Sequence, residues 1–304
     1  MPTLRATIIQ RIMRDFKNAL LLDVPIETRR QRLDAVARRG IRVPRGVSVQ
    51  TVAAGPVPGE WIKPETVEPG RGILYLHGGG YVIGSPTTHR GLAGHLAIAS
   101  RAKILLIDYR LAPEHPFPAA LEDALAAYRF LCDQGFDPRH LVIGGDSAGG
   151  GLSLATALSL RDSGAPLPAA LFLISPWTDL TFSGNSVHER AERDPLLKPY
   201  SSDWMVETYA GSYPLTHPYI SPLFADLHGL PSTFIQVGSE EILFDDSARL
   251  EKKLREAGVP VEFEEWDQMW HVFHAFVPYV PEAKEAINHI GQFIEKTLGD
   301  QQTP

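Results

Sequence analysis

The sequence predicts an α/β protein with a mostly parallel sheet flanked by helices. Near-continuous apolar runs of strand length recur along the chain, and such runs are typical of strands buried on both faces. Helix-like segments separate the runs, which implies parallel strands joined by right-handed crossovers. With 304 residues, 44% of them apolar, the chain is long enough to bury a large core. The predicted strands span residues 73–76, 104–107, 141–143, 171–174, 234–237 and 261–266, and the predicted helices span residues 91–100, 119–131, 149–162, 246–257 and 282–297.

Two irregular regions lie outside this alternation. Before it, apolar residues recur every four positions from Leu4 to Leu20, which predicts an amphipathic helix, and a second helical stretch ends at Gly40. Short segments between residues 48 and 63, punctuated by proline and glycine, suit an antiparallel edge. The stretch 182–219 is polar and rich in Pro, Tyr and Trp, and its length is typical of a lid or binding element.

A glycine-rich motif, Gly145-Asp146-Ser147-Ala148-Gly149, lies between the predicted strand 141–143 and a predicted helix. A serine at the apex of a tight strand-to-helix turn has strained backbone angles, and bulky neighbours would clash with the strand and the helix. The turn places the hydroxyl above the sheet, near the positive end of the helix. Ser147 is therefore the predicted nucleophile. No lysine follows the glycines, which excludes a phosphate-binding P-loop.

The predicted strand 73–76 runs into His77-Gly78-Gly79-Gly80. Consecutive glycines let the backbone approach a substrate without obstruction by side chains. Backbone N–H groups there can stabilise the negative oxygen of a tetrahedral intermediate, at roughly 100- to 1,000-fold in rate for each donor. We predict that the N–H groups of Gly79, Gly80 and Ala148 form this oxyanion hole. His77 is expected to support the loop rather than to act as a base.

These two motifs, with Asp108-Tyr109-Arg110-Leu111-Ala112-Pro113-Glu114 between them, resemble the bacterial hormone-sensitive-lipase-like esterase family over about residues 70–275. The resemblance implies an α/β-hydrolase fold, in which a mostly parallel eight-stranded sheet is flanked by helices and covered by a helical cap. It also implies a division of the chain: the N-terminal part of the cap at residues 1–45, a cap insertion at 182–219, and a catalytic domain at 46–181 and 220–304.

The base that activates a serine is usually an imidazole oriented by a carboxylate, and in this fold the chain order is serine, acid, histidine. His271 follows the last predicted strand and has a phenylalanine two residues later, as in the family. His271 is therefore the predicted base, with His274 as its competitor.

The acid is predicted from the family pattern Asp-x-Leu-x-Asp after the strand 234–237. Matching Leu243 and Asp245 to this pattern puts Glu241 at the catalytic position, where the family usually has aspartate. A glutamate can still orient the imidazole, because the role needs a carboxylate rather than a particular length. Asp245 and then Glu240 are the alternatives; Asp245 and its neighbour Asp246 are expected as caps and first-turn acids of the next helix.

The resemblance implies a carboxylesterase that acts on short- to medium-chain acyl esters through a Ser-His-Glu triad and an acyl-enzyme. No metal or organic cofactor is expected, and the partner is a small-molecule ester. Two alternatives stay open: a non-catalytic receptor for a small ligand on the same fold, or a hydrolase of lactones, formamides or amides. Tyr81, Trp204, Tyr209 and the N-terminal helix are candidate pocket walls.

Charge and cysteine content narrow the partners and the compartment. A net charge of −7 argues against a nucleic-acid partner. Seven arginines bunched within residues 29–45 are expected to form a solvated helix face. The single Cys132 excludes an intrachain disulfide and fits a reducing compartment. Without a visible targeting segment or membrane-length apolar run, the sequence predicts a cytoplasmic protein with no stable membrane insertion. Family members are often dimers, which leaves a homodimer open.

Overall fold

The sheet holds the fold together, and the computed structural model describes it within residues 2–20, 24–198 and 203–299. Its strands are β1 (Val47–Ala54), β2 (Val57–Pro64), β3 (Gly72–Leu76), β4 (Lys103–Ile107), β5 (Leu141–Asp146), β6 (Ala170–Ile174), β7 (Ser232–Gly238) and β8 (Val261–Trp266). They lie in the order β1-β2-β4-β3-β5-β6-β7-β8. β2 pairs antiparallel with β1 and β4, and the other pairings are parallel. The predicted mostly parallel, eight-stranded sheet with an antiparallel edge is confirmed.

Helices cover both faces of this sheet. They are α1 (Leu4–Leu20), α2 (Ile26–Gly40), α3 (Pro86–Ser100), α4 (Ala119–Asp133), α5 (Ala148–Asp162), α6 (Ser186–Glu189), α7 (Asp203–Ala210), α8 (Phe244–Glu256) and α9 (Pro281–Gly299). Because side chains alternate along a strand, Leu74 and Leu76 of β3 belong to the core cluster that includes α4, α5 and α8, whereas Ile73 and Tyr75 belong to the cluster on the other face, which includes α3 and α9. The sheet is therefore buried on both faces, as its apolar runs predict.

Helix α3 begins five residues before its predicted start at Gly91. The hydroxyl of Ser85 accepts the N–H of Thr88 at 3.3 Å, and the Thr88 hydroxyl accepts the N–H of Ser85 at 2.9 Å. This reciprocal pair is a capping box, and Pro86 occupies the first helical position, where its missing N–H costs nothing. The prediction was late because it followed the apolar residues, which start only in the second turn.

The two irregular regions are helical. α1 and α2 precede β1, and α6 and α7 lie within residues 182–219, but residues 21–23 and 199–202 of the predicted cap lie outside the described residues. α1 buries Ala6, whereas Leu4 and Ile12 of the predicted apolar face are 76% and 52% exposed. Within the part of the chain that the structure describes, no helix combines the length and the apolarity needed to cross a membrane.

Contact between α3 and α9 gives a test of the packing. A Cβ atom at Gly291 in α9 would overlap the carbonyl oxygen of Ala99 and lie 3.0 Å from its Cβ. We expect Gly291→Ala to lower the free energy of unfolding by about 1–3 kcal/mol through overpacking, although alanine is the better helix former. Urea denaturation measures this. The control is Gly40→Ala in α2, where a Cβ would meet nothing within 4 Å. Equal stability of the two variants would contradict the packing.

Candidate active site

Ser147 occupies a strained turn between β5 and α5. Its backbone has φ 54° and ψ −122°, a conformation that residues with side chains seldom adopt. Two hydrogen bonds hold it: the Ser147 N–H donates to the carbonyl of Ile174 at 2.9 Å, and the Ser147 carbonyl accepts the N–H of Trp177 at 2.9 Å. Ser147 therefore comes directly after β5, and its hydrogen bonds to residues at and just after the end of β6 fix both its position and its strained backbone.

The glycines around Ser147 allow the turn to pack against the end of β3. A Cβ atom at Gly145 or at Gly149 would overlap the carbonyl oxygen of Leu76. Because Leu76 is the last residue of β3, this close approach brings the loop 77–80 next to the serine. Glycine is thus required at both positions of the motif because the Ser147 turn and the end of β3 lie in contact.

The three predicted oxyanion donors lie on two segments that meet at the serine. The carbonyl of Gly79 accepts the N–H groups of Val82 and Ile83 at 3.1 and 3.0 Å, which closes a tight turn. Gly79 and Gly80 line the cavity that also contains Ser147, and Ala148 is the first residue of α5. Among the described residues, none of these three N–H groups donates a hydrogen bond.

A buried carboxylate fastens the loop to the turn. Oδ1 of Asp146 accepts the Tyr75 hydroxyl at 2.7 Å and the N–H of Gly78 at 3.2 Å, and Oδ2 lies 3.4 Å from Nε2 of His89. Burial alone would raise the pKa of Asp146, but the charge and hydrogen bond of His89 and the bond from Tyr75 outweigh it and lower the pKa to about 2. Asp146 is thus a carboxylate at neutral pH.

The sequence analysis missed the pairing of His89 with Asp146, because the two residues come from different crossover units. The one signal is the Ser85 capping box, which starts α3 early enough to place His89 in its first turn. Burial opposes protonation of His89, but the charge of Asp146 and a hydrogen bond to it prevail and raise the pKa of His89. Each partner therefore favours the charged form of the other beneath the glycine loop.

His77 is buried under the same loop. Its ring stacks on Tyr109, with the centroids 4.2 Å apart, and the Tyr109 hydroxyl donates to the His77 carbonyl at 2.7 Å. Burial lowers the pKa of His77 to about 3. A neutral, stacked imidazole of this kind supports the loop and is a poor base.

His271 and Glu241 form a buried pair, and His271 lines the same cavity as Ser147. Nδ1 of His271 lies 2.8 Å from Oε2 of Glu241, with side chains 7% and 0% exposed. Oε1 of Glu241 accepts the Ser175 hydroxyl at 2.7 Å and the N–H of Gly238 at 2.6 Å. Burial alone would lower the pKa of His271, but the hydrogen bond and charge of Glu241 outweigh it and raise the pKa.

The three alternative residues have other partners. Asp245 accepts the N–H of Ser186 at 3.0 Å, and Glu240 forms a two-bond ion pair with Arg193. Nε2 of His274 bonds to the Gln236 side chain at 3.0 Å, and burial lowers the pKa of His274 to about 3. Of these candidates, the structure brings His271 and Glu241 together at the cavity.

The expectation that Asp245 and Asp246 cap their own helix is wrong. α8 begins at Phe244, so both lie in its first turn, but neither caps it. Asp246 instead accepts the N–H groups of Thr178 and Asp179, each at 2.8 Å. The two side chains therefore tie α8 to the chain that follows β6, because buried N–H groups there need acceptors, and burial raises the pKa of Asp246 to about 8.

Ser175 is a second residue that the sequence analysis missed. Its hydroxyl donates to Glu241 and accepts the N–H of Val272 at 3.2 Å, so it links the acid to the residue after His271. The available signal was its place directly after the strand 171–174, since the carboxyl ends of parallel strands meet at one edge of the sheet.

A cavity of about 590 Å³ lies over Ser147 and is largely apolar. Its walls come from the catalytic core, from α2 and from residues 182–219, and they include Arg29, Leu33, Leu197, Trp204 and Met205. Of the three expected aromatic walls, Trp204 lines the cavity. Tyr81 and Tyr209 instead stack on each other behind it, with the ring centroids 3.7 Å apart.

Such an arrangement is suited to acyl transfer. It combines a hydroxyl at a strained turn, an imidazole paired with a buried carboxylate, and unbonded N–H groups in the glycine loop; Ser147, His271, Gly79 and Gly80 all border one apolar cavity. These are the parts needed to generate a nucleophile and to stabilise an oxyanion away from bulk water.

Comparison with known proteins places this chain in a family. A family model described as the alpha/beta hydrolase fold matches residues 73–275. An acetyl-hydrolase of Streptomyces hygroscopicus is 45% identical over 82% of this chain and 83% of its own length. A crystal structure of the protein EstE5, soaked with p-nitrophenyl butyrate, is 44% identical, covers 98% of this chain and 99% of the other, and superposes with a TM-score of 0.93.

A crystal structure of an esterase from the bacterial hormone-sensitive lipase family superposes with a TM-score of 0.94 at 39% identity, over 98% of this chain and all of the other. Together with the family match and the 45% identity of the acetyl-hydrolase, this likeness confirms the resemblance carried by the two glycine motifs. The chain belongs to the α/β-hydrolase fold family, as a member of its bacterial hormone-sensitive-lipase-like esterase branch.

Proposed function

We propose that this protein is a carboxylesterase that hydrolyses short- to medium-chain acyl esters through the triad Ser147, His271 and Glu241. The observation that carries the proposal is the 2.8 Å contact between His271 Nδ1 and Glu241 Oε2 at the cavity that Ser147 lines. With Nδ1 bonded to the carboxylate, Nε2 is the ring nitrogen left to take a proton from the serine.

The proposed cycle has two steps. His271 removes the proton of the Ser147 hydroxyl as its oxygen attacks the ester carbonyl, and the protonated imidazole then gives that proton to the departing alcohol. Water, deprotonated by the same imidazole, attacks the acyl-enzyme, and the acid leaves as Ser147 regains its proton. Glu241 keeps the imidazole in the required tautomer and stabilises its cation, for which the Ser175 and Gly238 bonds hold it in place.

In both steps the former carbonyl oxygen becomes negative. The N–H groups of Gly79, Gly80 and Ala148 are proposed to bind it. The bond from Gly78 N–H to Asp146 supports this role because it holds the loop before substrate arrives, and donors that need no reorganisation stabilise a transition state best.

The size and covering of the cavity support the substrate range. A volume of about 590 Å³ suits a ligand with a short or medium chain, and the walls are largely apolar. A relative is named an acetyl-hydrolase, and a related crystal was soaked with a butyrate ester. We propose that residues 1–45 and 182–219 act as the cap, since α2 and α7 contribute Leu33 and Trp204 to the cavity walls.

Removal of the serine hydroxyl tests the function. We expect Ser147→Ala to lower kcat/KM for p-nitrophenyl butyrate by roughly a thousandfold or more, because the remaining site can only bind and polarise the ester. The variant should also lose covalent labelling by a fluorophosphonate probe. A Ser183→Ala variant serves as control, since the Ser183 hydroxyl is bonded to Asp179 at 2.5 Å.

The same assay with chains from acetyl to palmitoyl tests the substrate range, with the highest kcat/KM expected for the shorter chains. A wild-type protein that binds small ligands but is never labelled at Ser147 would overturn the proposal in favour of a receptor. Faster turnover of lactones, formamides or amides than of esters would also overturn it.

Substitution of two acidic residues that follow β7 distinguishes the proposed triad acid, Glu241, from the alternative, Asp245. We expect Glu241→Gln to lower kcat by about 100- to 10,000-fold, because an amide cannot stabilise the imidazolium. Asp245→Asn should retain near-full activity, since Asp245 bonds to Ser186 rather than to the imidazole. Steady-state kinetics of both variants measure this, and the reverse order of activities would show that the acid is misassigned.

Dependence on pH follows from the raised pKa of His271. A protonated imidazole cannot act as a base, so a raised pKa extends the inactive form to higher pH, and kcat/KM should fall about tenfold per pH unit below a pKa that exceeds 6.5. In Glu241→Gln burial acts without the opposing charge, and the acidic limb should move to lower pH. A pH–rate profile of both proteins tests the shift; a limb that stays in place would contradict it.

A further inference from the structure

One charged side chain in the cavity has no part in the proposed cycle. Arg29 of α2 lines the cavity together with Leu33, one helical turn later on the same face. The two residues place a guanidinium and an isobutyl group side by side over the site, in a wall that is otherwise largely apolar.

The neighbouring arginine fixes this orientation. Nε of Arg30 donates to the carbonyl of Val82 at 2.8 Å, its Nη2 donates to the carbonyl of Ala112 at 2.8 Å, and its two Nη atoms bond both carboxylate oxygens of Glu114. These contacts join α2 to the loop after the glycine motif. Because successive residues on a helix point about 100° apart, clamping Arg30 to the core turns Arg29 toward the cavity.

Arg29 lacks a counter-ion. Its Nε atom is shielded from solvent without a hydrogen-bond partner, and the guanidinium lies 5.4 Å from the ring centroid of Trp204. Among the described residues, no carboxylate pairs with it, whereas Arg30 pairs with Glu114 and Arg193 with Glu240. A shielded N–H group without an acceptor is costly, so an anion in the cavity would meet an unpaired guanidinium with an unsatisfied donor.

The arginine cluster in the sequence does not explain this placement. Arg32, Arg38 and Arg39 are exposed, as expected for a solvated helix face. Arg29 and Arg30 are half-buried and lie on the face of α2 that meets the protein. The role expected of the arginine cluster, a charged face in contact with solvent, therefore does not explain why Arg29 faces the cavity.

We propose that Arg29 is a specificity-determining residue that binds a carboxylate at the end of the ester substrate remote from the scissile bond. The inference rests on the proposed function and narrows it to esters that carry an acid group, such as half-esters of dicarboxylic acids. A planar guanidinium binds a carboxylate through two parallel N–H bonds, and the Trp204 ring beside it limits its rotation. In a low-dielectric wall such a pair is stronger than in water.

Matched pairs of substrates test this inference. In one pair the acid lies on the acyl part: 4-nitrophenyl hydrogen glutarate against 4-nitrophenyl pentanoate. In the other it lies on the alcohol part: 4-acetoxybenzoate against its methyl ester. For each pair, the ratio of kcat/KM for the acid to kcat/KM for the neutral ester is measured in wild type, Arg29→Gln and the exposed-site control Arg32→Gln.

We expect Arg29→Gln to lower this ratio by roughly 10- to 100-fold in at least one pair, the size of a charge-assisted bidentate contact. Arg32→Gln should change it by less than about threefold, as expected for a screened surface charge. The pair that responds identifies the side of the scissile bond that Arg29 borders. If Arg29→Gln leaves both ratios unchanged, or if Arg32→Gln lowers them equally, the inference is overturned.

A binding measurement separates this inference from the proposed function. Monomethyl glutarate and methyl pentanoate are titrated calorimetrically into Ser147→Ala, in which no ester is consumed, and into the same protein carrying Arg29→Gln. Tighter binding of the acid, lost with Arg29→Gln, supports the anion site even if the catalytic assignment fails. Equal binding of both esters to Ser147→Ala overturns it even if wild type hydrolyses neutral esters.

Discussion

The close approach of the Ser147 turn to the end of β3 is the constraint on which the site depends. Gly145 and Gly149 lie against the carbonyl oxygen of Leu76, and a single methyl group at either position would force the segments apart. The serine and the loop 77–80 come from strands that are neighbours in the sheet. Their separation is therefore set by strand spacing and by the absence of two side chains, and the strain at Ser147 is offset by the packing around it.

Two buried ionic networks stabilise the groups on either side of that turn. Asp146 holds the glycine loop from below through Gly78 and pairs with His89, and Glu241 holds His271 while Ser175 and a backbone N–H satisfy its other oxygen. Buried charges of this kind stay favourable only when each is paired and hydrogen-bonded. Both networks act on their imidazoles in the same direction, because in each the carboxylate raises the pKa of the histidine against the effect of burial.

The helical segments form a wall of the cavity above the Ser147 turn and the glycine loop, and the side chains of this wall take no part in the proposed reaction. The Arg30 clamp and the helical repeat decide which side chains of α2 meet the cavity, so binding preference can change there without disturbing β3, β5 or the glycine loop. The reason is that hydrogen bonds of the sheet hold β3 and β5 in place, whereas α2 is joined to the catalytic core by a few side-chain contacts.

Local sequence patterns predicted much of the fold and part of the candidate site. Apolar runs marked the buried strands, and Gly145-x-Ser147-x-Gly149 and Gly78-Gly79-Gly80 marked the turns, because strand burial and backbone crowding are local properties that the residues themselves express. The start of α3 was missed although its capping box is also local. The family pattern pointed to Glu241 and left Asp245 and Glu240 open, and the tertiary structure shows which carboxylate meets His271: Gly238 holds Glu241 toward the imidazole, whereas α8 begins at Phe244 and turns Asp245 toward Ser186. It likewise decided the placement of His89, Ser175 and Arg29, since each depends on contacts with residues far along the chain, as in the sequence separation of 66 positions from Ser175 to Glu241. No local pattern encodes such meetings, because they arise only when the strands are placed side by side.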